Sequence, residues 1–205
     1  MSFGVRKPAV GLVLRTDAVE VVQLSRGLGG VRLLGSARVP LTGPRAGPPT
    51  APEAAQLEDA RVAEAIRQAL GSLHAKTKRV VVAMPPHEVL LRSFSIPAVP
   101  KAELEAAVQF EARKYIPFKL SDLLWDYAVS PRARDKTLDV VFVALEREAF
   151  ARLKGWLAAA GVEATLIEPQ NFSLARVARL SQQASGDSFA AVVDIQPESA
   201  HIAVM

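Results

Sequence analysis

The chain has 205 residues, a formal net charge of +4 and no cysteine. Half of its residues are hydrophobic, enough to fill the core of one large domain or two small ones. The missing cysteine excludes a disulfide framework, a thiol nucleophile and thiolate metal sites, and it suits the reducing cytoplasm. The cations are scattered among 21 acidic residues, a pattern that argues against a nucleic-acid or lipid surface.

The first half of the sequence predicts one sheet and one helix. Apolar patterning indicates short strands at residues 10–15, 19–24 and 31–39, and the first apolar run is too short to be a signal peptide or to span a membrane. Five prolines and two glycines in residues 40–54 predict a disordered loop. Apolar spacing predicts an amphipathic helix over 56–73, and the unbroken apolar run 80–84 predicts a strand buried on both faces.

The pattern changes after Pro85 and Pro86, which indicates a small inserted α+β unit. Its expected elements are a strand at 88–96, a helix at 101–116, strands at 123–130 and 138–145, and a helix at 147–160 capped by Gly161. A strand at 164–167 is then expected to return to the first sheet, followed by a helix from Pro169 to about Ala184.

The last part of the chain predicts a boundary and a hairpin. Residues 181–188 are polar, and two apolar strands follow at 189–195 and 200–204. Because a two-stranded hairpin is marginal alone, we expect missing downstream sequence or a truncated product. Its apolar edge also predicts dimerisation or aggregation.

Motifs of catalysis are missing from the sequence. His74, His87 and His201 have no metal-ligand spacing, and neither HExxH, a P-loop nor GxGxxG occurs. Trp125, Tyr127 and Trp156 suit either core packing or a stacking platform for bases, and core packing is the favoured interpretation.

The segment 101–119, KAELEAAVQFEARKYIPFK, holds the candidate contact residues. On a helical projection the apolar stripe carries a carboxylate, Glu111, in its middle. This group needs a cation, backbone amides or a hydroxyl, so it either ties the helix to a neighbouring loop or contacts a partner. The stripe is formed by Leu104, Ala107, Val108 and Tyr115.

Two phenylalanines of the same segment lie off this stripe. Phe110 projects to the other side of Glu111, beside Arg113 and Lys114, and Phe118 follows the proline that ends the helix. They form either part of a core or an apolar binding patch. The candidate partner-binding residues are therefore Phe110, Glu111, Arg113, Lys114, Tyr115 and Phe118.

Five stretches of the sequence together resemble type IV pilus assembly proteins of the PilM family, and FEA-x-KYIPF after S-x-P-x-V-P is the specific element. The resemblance implies an α/β fold of the actin-like (ribonuclease H-like) type, in which subdomain 1A comprises residues 1–84 and 163–185. An α+β subdomain 1C is inserted at 85–162, and subdomain 2A starts at 186–205. The stretches are VGLVLRTDAVEVVQL, VVVAMPPHEVLLRSFSIP, FEARKYIPF, VVFVALEREAFARLKGWLAAAGVEATLIEPQNFSLARV and AVVDIQPESAHIAV.

The phosphate loops that this resemblance implies are degenerate. The family's first loop reads like VGxDIGSSSVK. In this chain Val13 replaces the Asp of that motif, Arg15 replaces the Gly two positions after it, and Glu20 replaces the Lys. A lost glycine keeps backbone N–H groups away from phosphate, and a carboxylate repels it. In the second loop Asp194 matches VDIG, whereas Gln196 and Pro197 replace its glycine. The degenerate nucleotide-binding positions are Gly11, Val13, Arg15, Thr16, Glu20, Asp194 and Gln196.

The resemblance also implies a function. The chain is expected to be a non-catalytic cytoplasmic adaptor, peripheral at the inner membrane, that holds the cytoplasmic N-terminal tail of a PilN-like membrane protein between subdomains 1A and 1C. An extended apolar and basic tail is expected to contact Phe110, Phe118 and Glu111.

No metal or other cofactor is expected. ATP with magnesium is expected to bind only if a complete second half of the actin-like fold is supplied. Three alternatives stay open: an actin-fold ATPase of which this is an incomplete half, a type II secretion platform and a cell-division actin homologue.

Overall fold

The computed structural model describes residues 8–27, 30–41, 52–132, 136–181, 191–195 and 200–204. The chain forms two units, Met1–Pro85 with Arg152–Met205 and Pro86–Ala151. The elements in chain order are β1 (Ala9–Leu14), β2 (Ala18–Gly27), β3 (Gly30–Pro40), α1 (Pro52–Ser72), β4 (Arg79–Met84), β5 (Leu90–Pro97), α2 (Leu104–Ala112), β6 (Leu123–Pro131), β7 (Thr137–Glu146), α3 (Arg147–Ala159), β8 (Glu163–Pro169), α4 (Gln170–Ser181), β9 (Ala191–Ile195) and β10 (Ala200–Val204).

The first unit contains a five-stranded sheet in the order β3-β2-β1-β4-β8. β1 pairs with β2 and β2 with β3 in antiparallel directions, whereas β1–β4 and β4–β8 are parallel. The predicted apolar face of α1 is confirmed, since Val62, Ile66 and Ala69 are fully buried, and this helix packs against β2 and β3. The continuous apolar run of β4 is likewise buried at four of its six residues.

The predicted disordered loop at 40–54 is wrong at both ends. Pro40 is the last residue of β3, and Leu41 is buried and donates its backbone N–H to the Asp17 carbonyl at 2.7 Å. At the other end α1 already begins at Pro52, because proline at the first helical position loses no hydrogen bond. Residues 42–51 lie outside the described part of the chain.

The predicted cap at Gly161 is confirmed. Its φ of +78° lies in the left-handed region. The Gly161 N–H donates to the Ala158 carbonyl at 3.0 Å and the Val162 N–H to the Leu157 carbonyl at 2.9 Å. This pair of bonds is a Schellman motif, which ends α3 and turns the chain into β8.

The second unit is a three-stranded antiparallel sheet in the order β5-β7-β6, with α2 packed against it. Its core combines the buried face of α2 with residues of all three strands. The second unit ends at Ala151, inside α3. The subdomain bounds 1–84, 85–162, 163–185 and 186–205 stay a prediction. The core residues are Phe94, Ile96, Val108, Ala112, Ile116, Leu123, Val140, Phe142 and Ala144.

None of the described helices combines the length and the apolarity that crossing a bilayer requires.

Candidate functional site

The helix that carries the candidate contact residues is shorter than predicted. The expected helix over 101–116 is regular only from Leu104 to Ala112. Beyond it the Lys114 N–H donates to the Glu111 carbonyl and the Tyr115 N–H to the Ala112 carbonyl, both at 3.0 Å. These are i→i+3 bonds, which tighten the end of the helix before Pro117.

This tighter end changes which side chains face the core. Val108, Ala112 and Ile116 are buried, whereas Leu104 is half-buried. Tyr115, which the helical projection placed in the apolar stripe and which is also a candidate contact residue, is 46% exposed. A helical projection stops being valid where the regular helix stops, at Ala112.

Tyr115 nevertheless fastens the segment to strand β5. Its ring stacks on Phe94 with a centroid distance of 5.5 Å and an interplanar angle of 9°. Its backbone carbonyl accepts a hydrogen bond from the Arg92 Nε at 3.1 Å. One residue of the segment is thus fixed to β5 by both its ring and its backbone.

Glu111 finds the two kinds of group that were expected for it, a cation and a hydroxyl. Its carboxylate accepts from the Lys114 Nζ at 2.8 Å and from the Tyr115 hydroxyl at 3.5 Å. Both donors belong to its own segment, 101–119. The hydrogen bond from Lys114 to Glu111 raises the pKa of Lys114 above its ordinary value, and the attraction of the Glu111 charge adds to this effect while desolvation opposes it.

Large aromatic side chains at the end of α2 are exposed. Phe110 is 66% exposed and Phe118 is 42% exposed. The Lys114 Nζ lies 5.4 Å from the centre of the Phe110 ring, within the range of a cation–π contact. We call Phe110, Arg113, Lys114, Tyr115 and Phe118 the α2 end surface. Its part in partner binding stays a prediction.

The other aromatic candidates belong to the core, as the favoured interpretation predicted. Trp125 stacks on Phe142 at 5.6 Å and on Tyr127 at 6.2 Å. Trp156 is buried, and its indole N–H donates to the Asp59 carboxylate. These rings are therefore not an open platform for bases.

The expected first phosphate loop is a tight turn between β1 and β2. The Arg15 N–H donates to the Ala18 carbonyl at 2.8 Å, with Thr16 and Asp17 between them. Gly11 and Val13 lie before the turn, in β1, where they pair with Val22 and Glu20 of β2. A Cβ added to Gly11 would meet no atom within 4 Å, so packing does not require glycine there.

Charged side chains at this turn pair with one another. The Arg15 Nε lies 2.7 Å from Glu20 Oε2, and the Arg38 Nη2 lies 2.6 Å from Asp17 Oδ2. Arg38 Nε also approaches Glu20 Oε1 at 3.6 Å. Sequence reasoning missed Arg38, which the strand register places opposite Glu20 on β3.

Contacts of Arg15 also reach β9, the strand expected to hold the second phosphate loop. The Asp194 Oδ2 accepts from the Gln170 Nε2 at 2.7 Å and lies 4.0 Å from Arg15 Nη1. Sequence reasoning also missed Gln170. The position of Gln170 directly after β8 could have indicated it as a candidate, because the carboxyl ends of parallel strands meet at one sheet edge and β8 is parallel to β4. Gln196 lies outside the described residues.

We call these six side chains the Arg15–Asp194 network: Arg15, Asp17, Glu20, Arg38, Gln170 and Asp194. It contains two guanidinium groups and three carboxylates, an excess of one negative charge. A phosphate group that approached Arg15 would compete with Glu20 for it. In the part of the chain that the structure describes, no three His, Asp or Glu side chains gather as metal ligands do.

A family profile and one solved structure both match this chain to the same family. The profile of the family described as type IV pilus assembly protein PilM matches residues 11–205. A chain of the solved structure "PilM-PilN type IV pilus biogenesis complex" is similar to this chain at a TM-score of 0.76 and 27% sequence identity. The likeness covers 96% of this chain, which spans 57% of the length of that one.

A second solved structure supports the fold alone. It is the cytoplasmic domain of EpsL, an inner membrane component of the type II secretion system of Vibrio cholerae. Its TM-score is 0.55 at 19% identity, over 82% of this chain and 59% of that chain. Together with the mixed five-stranded sheet, these likenesses confirm the expected actin-like α/β fold.

Proposed function

The chain belongs to the type IV pilus assembly protein PilM family, and on that premise we propose that it is a cytoplasmic adaptor of the pilus assembly platform at the inner membrane. Its proposed partner is the cytoplasmic tail of a PilN-like membrane protein, because the similar solved chain belongs to a PilM-PilN complex. The adaptor works by binding and not by turning over a substrate.

The observation that carries the contact surface is the exposure of Phe110, Tyr115 and Phe118 on a folded unit. Exposed rings that are held in place lose little conformational entropy on binding, and aromatic residues dominate binding energy at interfaces. Here the end of α2 is held by the buried Ile116 and by the stack of Tyr115 on Phe94. An extended apolar segment is the partner that suits such a surface.

Binding of a synthetic PilN tail peptide tests this surface. The double variant Phe110→Ala and Phe118→Ala is expected to weaken binding at least tenfold, since loss of a central aromatic contact costs roughly 1–2 kcal/mol or more. Val129→Ala is the matched control, because Val129 is also an exposed apolar side chain of this unit but lies on β6. Circular dichroism checks that each variant is folded.

The outcomes separate the surface from the partner. A folded double variant that binds as tightly as the unaltered chain shows that the α2 end surface is not the contact. An unaltered chain that fails to bind the peptide shows that the partner itself is wrong.

Charge at this surface gives a second, independent test. We infer that Glu111 faces a basic tail residue, but it must share its carboxylate with Lys114, whose Nζ lies 2.8 Å away. Lys114→Met removes that competing ammonium and is expected to strengthen binding of a basic tail severalfold. Weaker binding in this variant indicates that Lys114 itself contacts an acidic group of the partner.

The proposed absence of ATP turnover rests on the Arg15–Asp194 network. Its arginines are engaged by carboxylates, and Val13 and Glu20 supply neither the Asp nor the Lys of the family's loop. The ATPase alternative therefore requires groups from outside this sequence.

A further inference from the structure

The β9–β10 hairpin places its side chains in an unusual way. The residues of one face are all apolar, and four of them, Val193, Ile195, Ile202 and Val204, are more than half exposed. The opposite face is less exposed although it carries Asp194 and His201, which lie directly across from each other. Burial of apolar surface alone favours the reverse orientation.

On the less exposed face Asp194 has close polar contacts, beside the packing of α4 against β9 and β10. Its side chain is only 16% exposed, and it accepts a hydrogen bond of 2.7 Å from Gln170, which is 4% exposed. Arg15 Nη1 lies 4.0 Å away on its other side. A carboxylate at such a place needs these partners, because an unpaired buried charge is costly.

The three residues come from three separate elements of the first unit. Arg15 follows β1, Gln170 begins α4, and Asp194 lies in β9. Arg15 is itself aimed by the carboxylate of Glu20 at 2.7 Å. Their side-chain contacts therefore join the hairpin to the end of the five-stranded sheet.

We propose that Arg15, Gln170 and Asp194 form a built-in link that fixes which face of the β9–β10 hairpin is turned outward, and that this link acts without any nucleotide. Side chains alternate between the faces of a strand, so a link at Asp194 sets the direction of every other residue of β9. The positions that resemble a phosphate-binding site thereby have a structural role of their own.

Hydrogen exchange of the whole 205-residue chain, followed by mass spectrometry, tests the link. Asp194→Asn and Arg15→Gln are each expected to speed exchange of the 191–195 and 200–204 amides, by about tenfold for Asp194→Asn, the order of one charge-assisted hydrogen bond. The matched control is Asp17→Asn, which breaks the neighbouring, more exposed pair with Arg38. We expect the control to leave exchange in the hairpin unchanged.

Two further measurements make the result decisive. The double variant of Arg15 and Asp194 is expected to exchange no faster than the faster single variant, because both changes break one link. Exchange of the β4 amides shows whether each variant is globally folded. If Asp194→Asn unfolds, the test uses Arg15→Gln instead, because Arg15 is a partly exposed side chain.

Three outcomes overturn the proposal. The first is equal hairpin exchange in Asp194→Asn and Asp17→Asn, and the second is rates that multiply in the double variant. The third is that the hairpin amides of the unaltered chain exchange more slowly with magnesium and ATP than without them, since the link is proposed to act without a nucleotide.

Discussion

Removal of the Tyr115 ring measures how firmly the α2 end surface is held. The residue is 46% exposed, so it buries about half of the roughly 200 Å² of an aromatic side chain, worth about 2.5 kcal/mol at ~25 cal/mol/Å². Stacking on Phe94 adds about 0.5–1 kcal/mol. Because partly ordered unfolded chains already bury some of this area, we expect Tyr115→Ala to lower the free energy of unfolding of the second unit by about 2–3 kcal/mol.

Tyr115→Phe is the matched control for the ring. The hydroxyl lies 3.5 Å from Glu111 Oε1, at the limit of a hydrogen bond, so its loss is expected to cost under about 0.5 kcal/mol. The hydrogen bond from Arg92 goes to the backbone carbonyl and is kept in both variants.

Urea unfolding followed by tryptophan fluorescence gives the measurement. The chain has two tryptophans, Trp125 in the second unit and Trp156 in the first. In a Trp156→Phe background the emission of Trp125 alone reports the second unit. A destabilisation below about 1 kcal/mol in Tyr115→Ala, or equal effects of Ala and Phe, would refute the stacking argument.

Two other predictions concern the helix cap and the charged pair. Gly161→Ala is expected to destabilise the first unit by about 1–2 kcal/mol, because alanine is strained at a φ of +78°. Gly155→Ala lies within α3 and is expected to stabilise the same unit by about 0.5–1 kcal/mol. Unfolding followed by Trp156 fluorescence measures both changes in stability, and changes of the same sign contradict the cap. Because the pKa of Lys114 is raised, the stability from its pair with Glu111 is present below the ordinary lysine pKa and is lost as pH rises through the raised value. In the variant Glu111→Gln, an NMR titration of the Lys114 side chain is expected to show a lower pKa than in the unaltered chain. An unchanged pKa contradicts the pair.

Local patterns in the sequence were sufficient to predict the elements of this fold. The period of α1, the apolar run of β4 and the glycine after α3 each depend on neighbouring residues only, and the structure confirms all three. The parallel pairing of β1, β4 and β8 joins residues more than 60 positions apart, and no local pattern specifies it. The residue pattern predicted the return of a strand at 164–167 to the first sheet, and the family resemblance implied the actin-like arrangement as a whole.

Side-chain surroundings were harder to predict than the elements. The sequence predicted that Glu111 finds a cation, backbone amides or a hydroxyl, and the structure shows a cation and a hydroxyl, because the cost of an unpaired carboxylate does not depend on the fold. It did not predict the stack of Tyr115 on Phe94, because Phe94 lies on another strand. The partners of Asp194 were also missed, since Gln170 and Arg15 reach it only through the tertiary fold.

The proposed adaptor role is tested most directly by one calorimetric experiment on the unaltered chain. It is titrated first with a synthetic PilN tail peptide and then, in a separate cell, with ATP and magnesium. We expect saturable binding of the peptide and no binding heat from ATP, because the arginines near the β1–β2 turn are already paired with carboxylates. Binding or hydrolysis of ATP without binding of the peptide would contradict the account.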